Sequence, residues 1–349
     1  MAYTTVNDSS AYFQTTLYTG NGSTQSITNG GNSDLKPDLA WIKDRGSAFD
    51  HKLQDSSRGS TYTLETNETT AAYNDTNAVT SFNTDGFSLG SNGNVNDNTA
   101  NVVAWQWKAN GGTTSSNGSG SITSTVQANT TAGFSIVTWT GTTSNGTVGH
   151  GLGKAPDCIF FKNYAASENW TTYHSKLGNT GGLYLNLTNG FNSAGSWYND
   201  TSPTSSVFSV GTNTKTNGGT MVAYCFANIK GYSSFGSYTG NAAEPAGPFI
   251  YTGFAPAFIM VKASSEAGQN WVMGDRARDP YNIAIRKLFA NTNGSSSAAV
   301  GDNNWDFLSN GFQIRTSDDA MNKSGVTFQY LAFAEMPLVA TNNVLALAR

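Results

Sequence analysis

The residues best placed to do chemistry in this chain are its scattered acids, three histidines and two cysteines. Cleaving a glycosidic bond takes two carboxylates held about 5–10 Å apart, one acting as general acid and the other as base or nucleophile. Asp55 has the best claim among the acids, because it falls at the same place in an internal repeat as Asp275; the remaining copy has His174 there. A catalytic acid that becomes histidine in one copy argues against three active sites. Arg58 and Arg278 follow three residues on, with Leu177 in the other copy, so the spacing predicts an Asp–Arg pair closing a loop. Ligand contact by Asp55 and Asp275 is the competing role. Other acids, such as Asp85, Asp200 and the group Asp302, Asp306, Asp318 and Asp319, sit in turn-like contexts where Asp is expected anyway.

His51, His150 and His174 share no metal-ligand spacing, and a zinc site or a Ser-His-Asp triad finds no support. Gly149 to Lys154 is glycine-rich, but it precedes a strand instead of opening a helix, so a phosphate cradle is not expected. Asn92 to Asn98 holds a single acid, Asp97, which predicts at best feeble calcium affinity. No metal and no cofactor is expected. Cys158 and Cys225 both lie in the second copy and have Leu39, Phe258, Gln106 and Ala332 as counterparts. Buried free thiols are the expected state, and a bridge between adjacent strands is the alternative.

The elements that must position these groups come in triplicate. Pro37–Lys43, Pro156–Lys162 and Pro256–Lys262 each join a proline, an apolar run and a lysine. Each is preceded by an aromatic-Thr-Gly triplet ending at Gly20, Gly141 or Gly240, and followed by Asn67, Asn186 or Asn291. Farther on come Phe87, Phe208 and Phe312, and each copy closes on an aromatic strand around Trp105, Tyr224 or Leu331. Such self-similarity at a period of roughly 100 residues means three versions of one unit. The apolar runs are short, continuous and bracketed by turn residues, the pattern of strands buried on both faces. Polar turns rich in Asn-Gly punctuate the rest. The fold expected is all-β: three tandem antiparallel β-sandwich domains, jelly-roll or concanavalin-like.

Residues 1–109 form the first expected repeat, 133–231 the second and 232–338 the third, with a tail at 339–349. The Gly/Ser/Thr-rich stretch 110–132 reads as a flexible linker, whereas the second and third copies abut at Gly231. A tethered first domain beside a coupled pair follows from this, with protease access between residues 110 and 125. The tail is expected to reach a neighbour or to lie on the surface.

Composition bounds the partners. Charged residues are only 12% and the formal net charge is −4, with no basic stripe, so nucleic acid is not an expected partner. No apolar run is long enough to span a bilayer, and the N-terminus lacks a charged-then-apolar leader. Aromatic residues reach 12%, and several fall in polar segments: Tyr73, Tyr164, Trp170, Trp197, Tyr198, Trp271, Tyr281 and Trp305. Aromatic faces flanked by amides and carboxylates can hold sugars. Trp170 and Trp271 align with each other and with His51, which favours a scaffold role. Trp197, Tyr198 and Trp305, in the segment of most variable length, are the better surface candidates, with Tyr164 beside them.

The segments Ala11–Gly22, Lys36–Lys43 and Thr84–Gly90, and the close at Phe333–Leu338, resemble tandem-repeat proteins of marine tailed bacteriophages. Those are uncharacterised or tail-fibre-like virion proteins with concanavalin-like sandwich repeats. The resemblance implies a non-enzymatic protein displayed on the virion surface, made in the host cytoplasm and released by lysis. It would act as a tail fibre or similar appendage contacting host-surface glycan, among other virion proteins and as a homo-oligomer, a trimer being favoured. A capsid decoration or head fibre is the alternative, and a glycan depolymerase a third reading.

Overall fold

In each copy the apolar run pairs with the closing aromatic strand, since both carry apolar side chains on both faces and neither can sit at a wet surface. The computed structural model describes residues 3–296 and 304–339; Asp302 and tail residues 340–349 lie outside them. The first copy contains β1 (Phe13–Thr19), β2 (Gln25–Ile27), β3 (Leu39–Asp44), β4 (Lys52–Asp55), β5 (Gly59–Glu65), β6 (Tyr73–Asn74), β7 (Val79–Phe82), β8 (Phe87–Leu89) and β9 (Asn101–Trp107). They form a large sheet in the order β1-β9-β3-β4-β5-β6 and a small one in the order β2-β8-β7.

The second copy contains β10 (Ser115–Asn117), β11 (Ser124–Asn129), β12 (Phe134–Thr140), β13 (Gly146–Gly149), β14 (Cys158–Asn163), β15 (Thr171–His174), β16 (Gly178–Tyr184), β17 (Asn192–Ser193), β18 (Val207–Val210) and β19 (Thr220–Phe226). Its large sheet runs β10-β11-β12-β19-β14-β15-β16-β17, against the pair β13-β18. The third contains β20 (Ser233–Thr239), β21 (Phe249–Tyr251), β22 (Phe254–Ala263), β23 (Val272–Asp275), β24 (Leu288–Phe289), β25 (Trp305–Leu308), β26 (Gly311–Ile314) and β27 (Thr327–Pro337), in sheets β20-β27-β22-β23-β24 and β21-β26-β25. The all-β, antiparallel expectation holds.

Register makes the equivalence of the copies explicit. Leu39 lies opposite Trp107 and Asp55, Cys158 opposite Phe226 and His174, and Phe258 opposite Phe333 and Asp275. Trp107, Phe226 and Phe333 then meet each other in a triangle of ring contacts, with centroids 6.1, 5.5 and 5.6 Å apart. One hydrophobic core surrounds this triangle and draws on all three copies, including Trp41, Phe160 and Met260. The opposite faces of the first two large sheets bury separate clusters, with Phe87 in the first and Phe208 in the second, beneath their small sheets. The units are therefore sandwiches that share their largest core, not three separately cored bodies.

That arrangement corrects the linker expectation. Within 110–132, β10 is the edge strand of the second sheet and β11 the strand beside it, β11 pairing with β12 from Asn129 opposite Phe134 to Thr125 opposite Thr138. Gln127 accepts hydrogen bonds from the amides of Asn110 and Gly112 and donates to the hydroxyls of Ser56 and Ser57. Asp38 takes the amides of Ala109 and Gly111. The glycines that suggested slackness serve a turn, Gly111 and Gly112 both having positive φ.

Candidate functional site

The repeated polar residues lie where the units meet. At one equivalent position, the Trp170 indole donates to Glu65 O at 2.9 Å, joining the second unit to the first, and Trp271 donates to Tyr184 O at 2.8 Å, joining the third to the second. His51 Nε2 contacts Phe289 O at 3.1 Å and closes the ring from the first unit to the third. Its Nδ1 accepts from the Trp41 indole at 2.8 Å, so Nε2 carries the proton. Asn67, Asn186 and Asn291 cap this position alike, each side-chain oxygen accepting the main-chain amide of His51, Trp170 or Trp271. The scaffold role read for Trp170 and Trp271 is what the geometry shows.

Asp55 and Asp275 belong to the same ring. Asp55 accepts from Arg58 Nε at 2.6 Å and from the amides of Ser57 and Arg58, which closes the β4–β5 turn, and its Oδ2 also takes the Tyr224 hydroxyl of the second unit at 2.6 Å. Asp275 holds Arg278 in the same way and takes the indole of Trp105 from the first unit at 3.1 Å. His174 solves the third junction with the sign reversed. Its Nδ1 accepts the amide of Lys176, as the carboxylate does for Ser57, but its Nε2 donates to Tyr330 O at 3.2 Å. The third unit has Leu331 where the others have Trp105 and Tyr224, so no side-chain donor faces that site and an acid would have nothing to accept.

The lysines ending each apolar run are buried as well. Lys162 donates to Thr69 O across the first junction at 2.8 Å and to Glu168 O at 2.5 Å; Lys262 reaches Thr188 O and Ala263 O; Lys43 reaches Asp44 O and Ser47 O. Burial lowers all three to about 8. Burial also pulls His51 down to about 3 and His174 to about 4. Carbonyl oxygens satisfy the ammonium groups.

Trp197, Tyr198 and Trp305 are all buried, which corrects their reading as surface aromatics. Tyr198 packs on Phe161 and Tyr173, Trp197 on Tyr184, and Trp305 against Gly274, where an added Cβ would meet the indole at 1.9 Å. Length variation had suggested a surface loop, yet Trp197 and Tyr198 belong to the second unit's own core and Trp305 to the shared one. Tyr164 is half-buried, with the Arg58 guanidinium 5.6 Å from its ring centre across the first junction. None of the six candidate residues lies in a common pocket among the described residues. Cys158 and Cys225 are buried and free. Offset by one register position, Cys158 opposite Phe226 and Cys225 opposite Ile159, they face opposite sides of the sheet, and burial raises both thiols above their usual range.

Two outer features remain. Phe249 and Tyr251 stand on the same face of β21, 49% and 57% exposed, a pair that alternation could have flagged. A cleft of about 530 Å³ opens between the first and third units, lined on one side by Phe13–Leu17 of β1 and on the other by Ala257, Arg276, Ala277, Ala334 and Glu335. Arg276 and Glu335 form an ion pair at 2.8 Å on its wall. Among the described residues no group of three or more His, Cys, Asp or Glu could hold a metal, and no helix is long and apolar enough to cross a membrane.

No curated protein and no solved structure matches the chain. One family does, a domain of unknown function (DUF7483), and it spans residues 8–337, all three sandwich units taken together. A match of that extent places the chain in the DUF7483 family.

Proposed function

We propose that this chain is a structural protein of a phage particle's outer surface, an appendage such as a tail fibre that holds host-surface glycan. The observation that carries the reading is the use of the repeated polar positions. Asp55, His174 and Asp275, with His51, Trp170 and Trp271, bind unit to unit. Groups engaged in this way build a rigid body and leave recognition to its outside. The resemblance of the repeats to phage proteins supports the particle. The ring of three units within one chain supports reading it as a ready-made three-lobed body, where a homotrimer would otherwise be needed.

The sugar contact belongs on the β21 face, where Phe249 and Tyr251 offer two adjacent rings. Purified chain should bind whole host cells and block infection, and Phe249→Ala with Tyr251→Ala should remove both effects. Binding to emptied capsids without binding to cells would turn the assignment to capsid decoration. Release of reducing sugar, abolished by changing one acid, would overturn the non-enzymatic reading.

A further inference from the structure

Each unit hands the next a main-chain bond at one corner, and the three corners are furnished differently. The amides of Ala72, Phe191 and Ser296 donate to the carbonyls of Tyr164, Ser264 and Arg45, the residues that directly follow β14, β22 and β3. That shared bond aligns the neighbours of all six. Where the second unit meets the third, it brings residues 189–192 against 264–267 around a hollow of about 300 Å³. The hollow lies past the Ala263 end of β22, roughly 30 Å from the end that pairs with Pro337.

Phe191 is 37% exposed on its rim, and the other corners have Ala72 and Ser296 in its place, so the fold does not need a ring there. Thr70 and Tyr73, the first unit's counterparts of Asn189 and Asn192, both bond to Glu65. The side chains of Asn189 and Asn192 bond to no protein group among the described residues and keep their full hydrogen-bonding capacity. Glu266 stands where the other corners have Ser47 and Ala166. Its Oε1 accepts from Lys323, whereas Oε2 makes no bond among the described residues. Ser265 Oγ accepts the Thr327 amide and retains a proton to donate. An aromatic face, two amides, a carboxylate oxygen and a hydroxyl thus line one hollow.

We propose that this hollow is a second sugar site, apart from the β21 face, which takes one uncharged pyranose ring; it rests on the reading of the chain as glycan-binding. The Phe191 ring takes the C–H face of the sugar, while Glu266 Oε2 and the amides of Asn189 and Asn192 take its adjacent hydroxyls. Lys323 and the buried Lys262 balance Glu266 and Asp319, so the corner has no excess charge to draw a uronate or a sulfate. The volume is at the lower end for small-molecule clefts, which suits a single ring.

The test is titration of the full chain carrying Phe249→Ala and Tyr251→Ala, so that the rings of β21 are gone and sugar binding reports the hollow. The probes are glucose, galactose, mannose and N-acetylglucosamine, with glucuronate as the charged comparison, followed by saturation-transfer NMR. The expected result is that at least one neutral sugar binds, and that adding Phe191→Ala or Glu266→Ala weakens it at least tenfold. Each of these installs the residue of another corner, and thermal melting establishes that both variants are folded. No binding by any neutral sugar, binding indifferent to both variants, or tighter binding of glucuronate overturns the proposal. If the parent chain still binds host cells or sugar while this variant binds no sugar, the site is overturned and the glycan reading stands; if neither binds, both fall.

Discussion

The hydroxyl of Tyr224 donates to Asp55 Oδ2 at 2.6 Å, joining the second unit to the carboxylate that closes a turn of the first. The bond is buried and charge-assisted, so Tyr224→Phe removes a donor from an anion that water cannot reach. The variant should lose about 1.5–3 kcal/mol of stability by urea denaturation. Thr19→Ala, at an exposed position of β1, serves as a surface comparison. Equal losses from the two variants would mean that the junction bond contributes nothing special.

His51 and Trp41 form a matched pair, because the imidazole accepts the Trp41 indole N–H at Nδ1 and donates its own Nε2–H to Phe289 O. The second copy has Phe160 with Trp170 at the same two places. His51→Trp alone should therefore destabilise by about 1–3 kcal/mol, since it leaves the Trp41 N–H buried without an acceptor. Adding Trp41→Phe should recover a good part of that loss. A double-mutant cycle with no coupling would contradict the pairing.

Acid should weaken the fold before ordinary carboxylates titrate. In the unfolded chain an imidazole takes up its proton near pH 6.5, whereas burial holds folded His51 near 3 and His174 near 4. The neutral rings' contribution is complete above pH 6.5. Below it the unfolded state binds protons that the folded state refuses, so stability falls with pH until about 3 for His51 and about 4 for His174. For His174 the integrated loss is about 3 kcal/mol. Urea midpoints measured from pH 7 to pH 4.5 should decline, and the His51→Trp, Trp41→Phe variant should show a slope smaller by about one proton.

Limited proteolysis should spare residues 110–125 in the native chain. The segment is held by Asp38 and Gln127 and by strand pairing. Gln127→Ala releases the amides of Asn110 and Gly112 together with Ser56 and Ser57, and should open this segment to cleavage at concentrations that leave the parent intact. Early nicking of the parent would restore the picture of a loose tether.

The triplication, the strand type and the double-sided burial of β3, β14 and β22 were legible because repetition and apolar runs are local signals. So was the Asp55–Arg58 turn, three residues being a short reach. The shared core was not legible, since Trp107, Phe226 and Phe333 are separated by more than a hundred residues and nothing nearby marks them as touching. The histidine in place of Asp275 puzzled on its own strand and makes sense only against Leu331 of another unit. Buried Trp197, Tyr198 and Trp305 misled for the converse reason: their polar neighbours in sequence are not their neighbours in space.

Covalent continuity changes what the ring of three can become. A trimer of identical chains falls apart on dilution and must repeat every change three times over; a ring written into one polypeptide does neither. Each corner was thus free to drift on its own, one having imidazole where the others have carboxylate. A body with near-threefold form can in this way keep three chemically different corners.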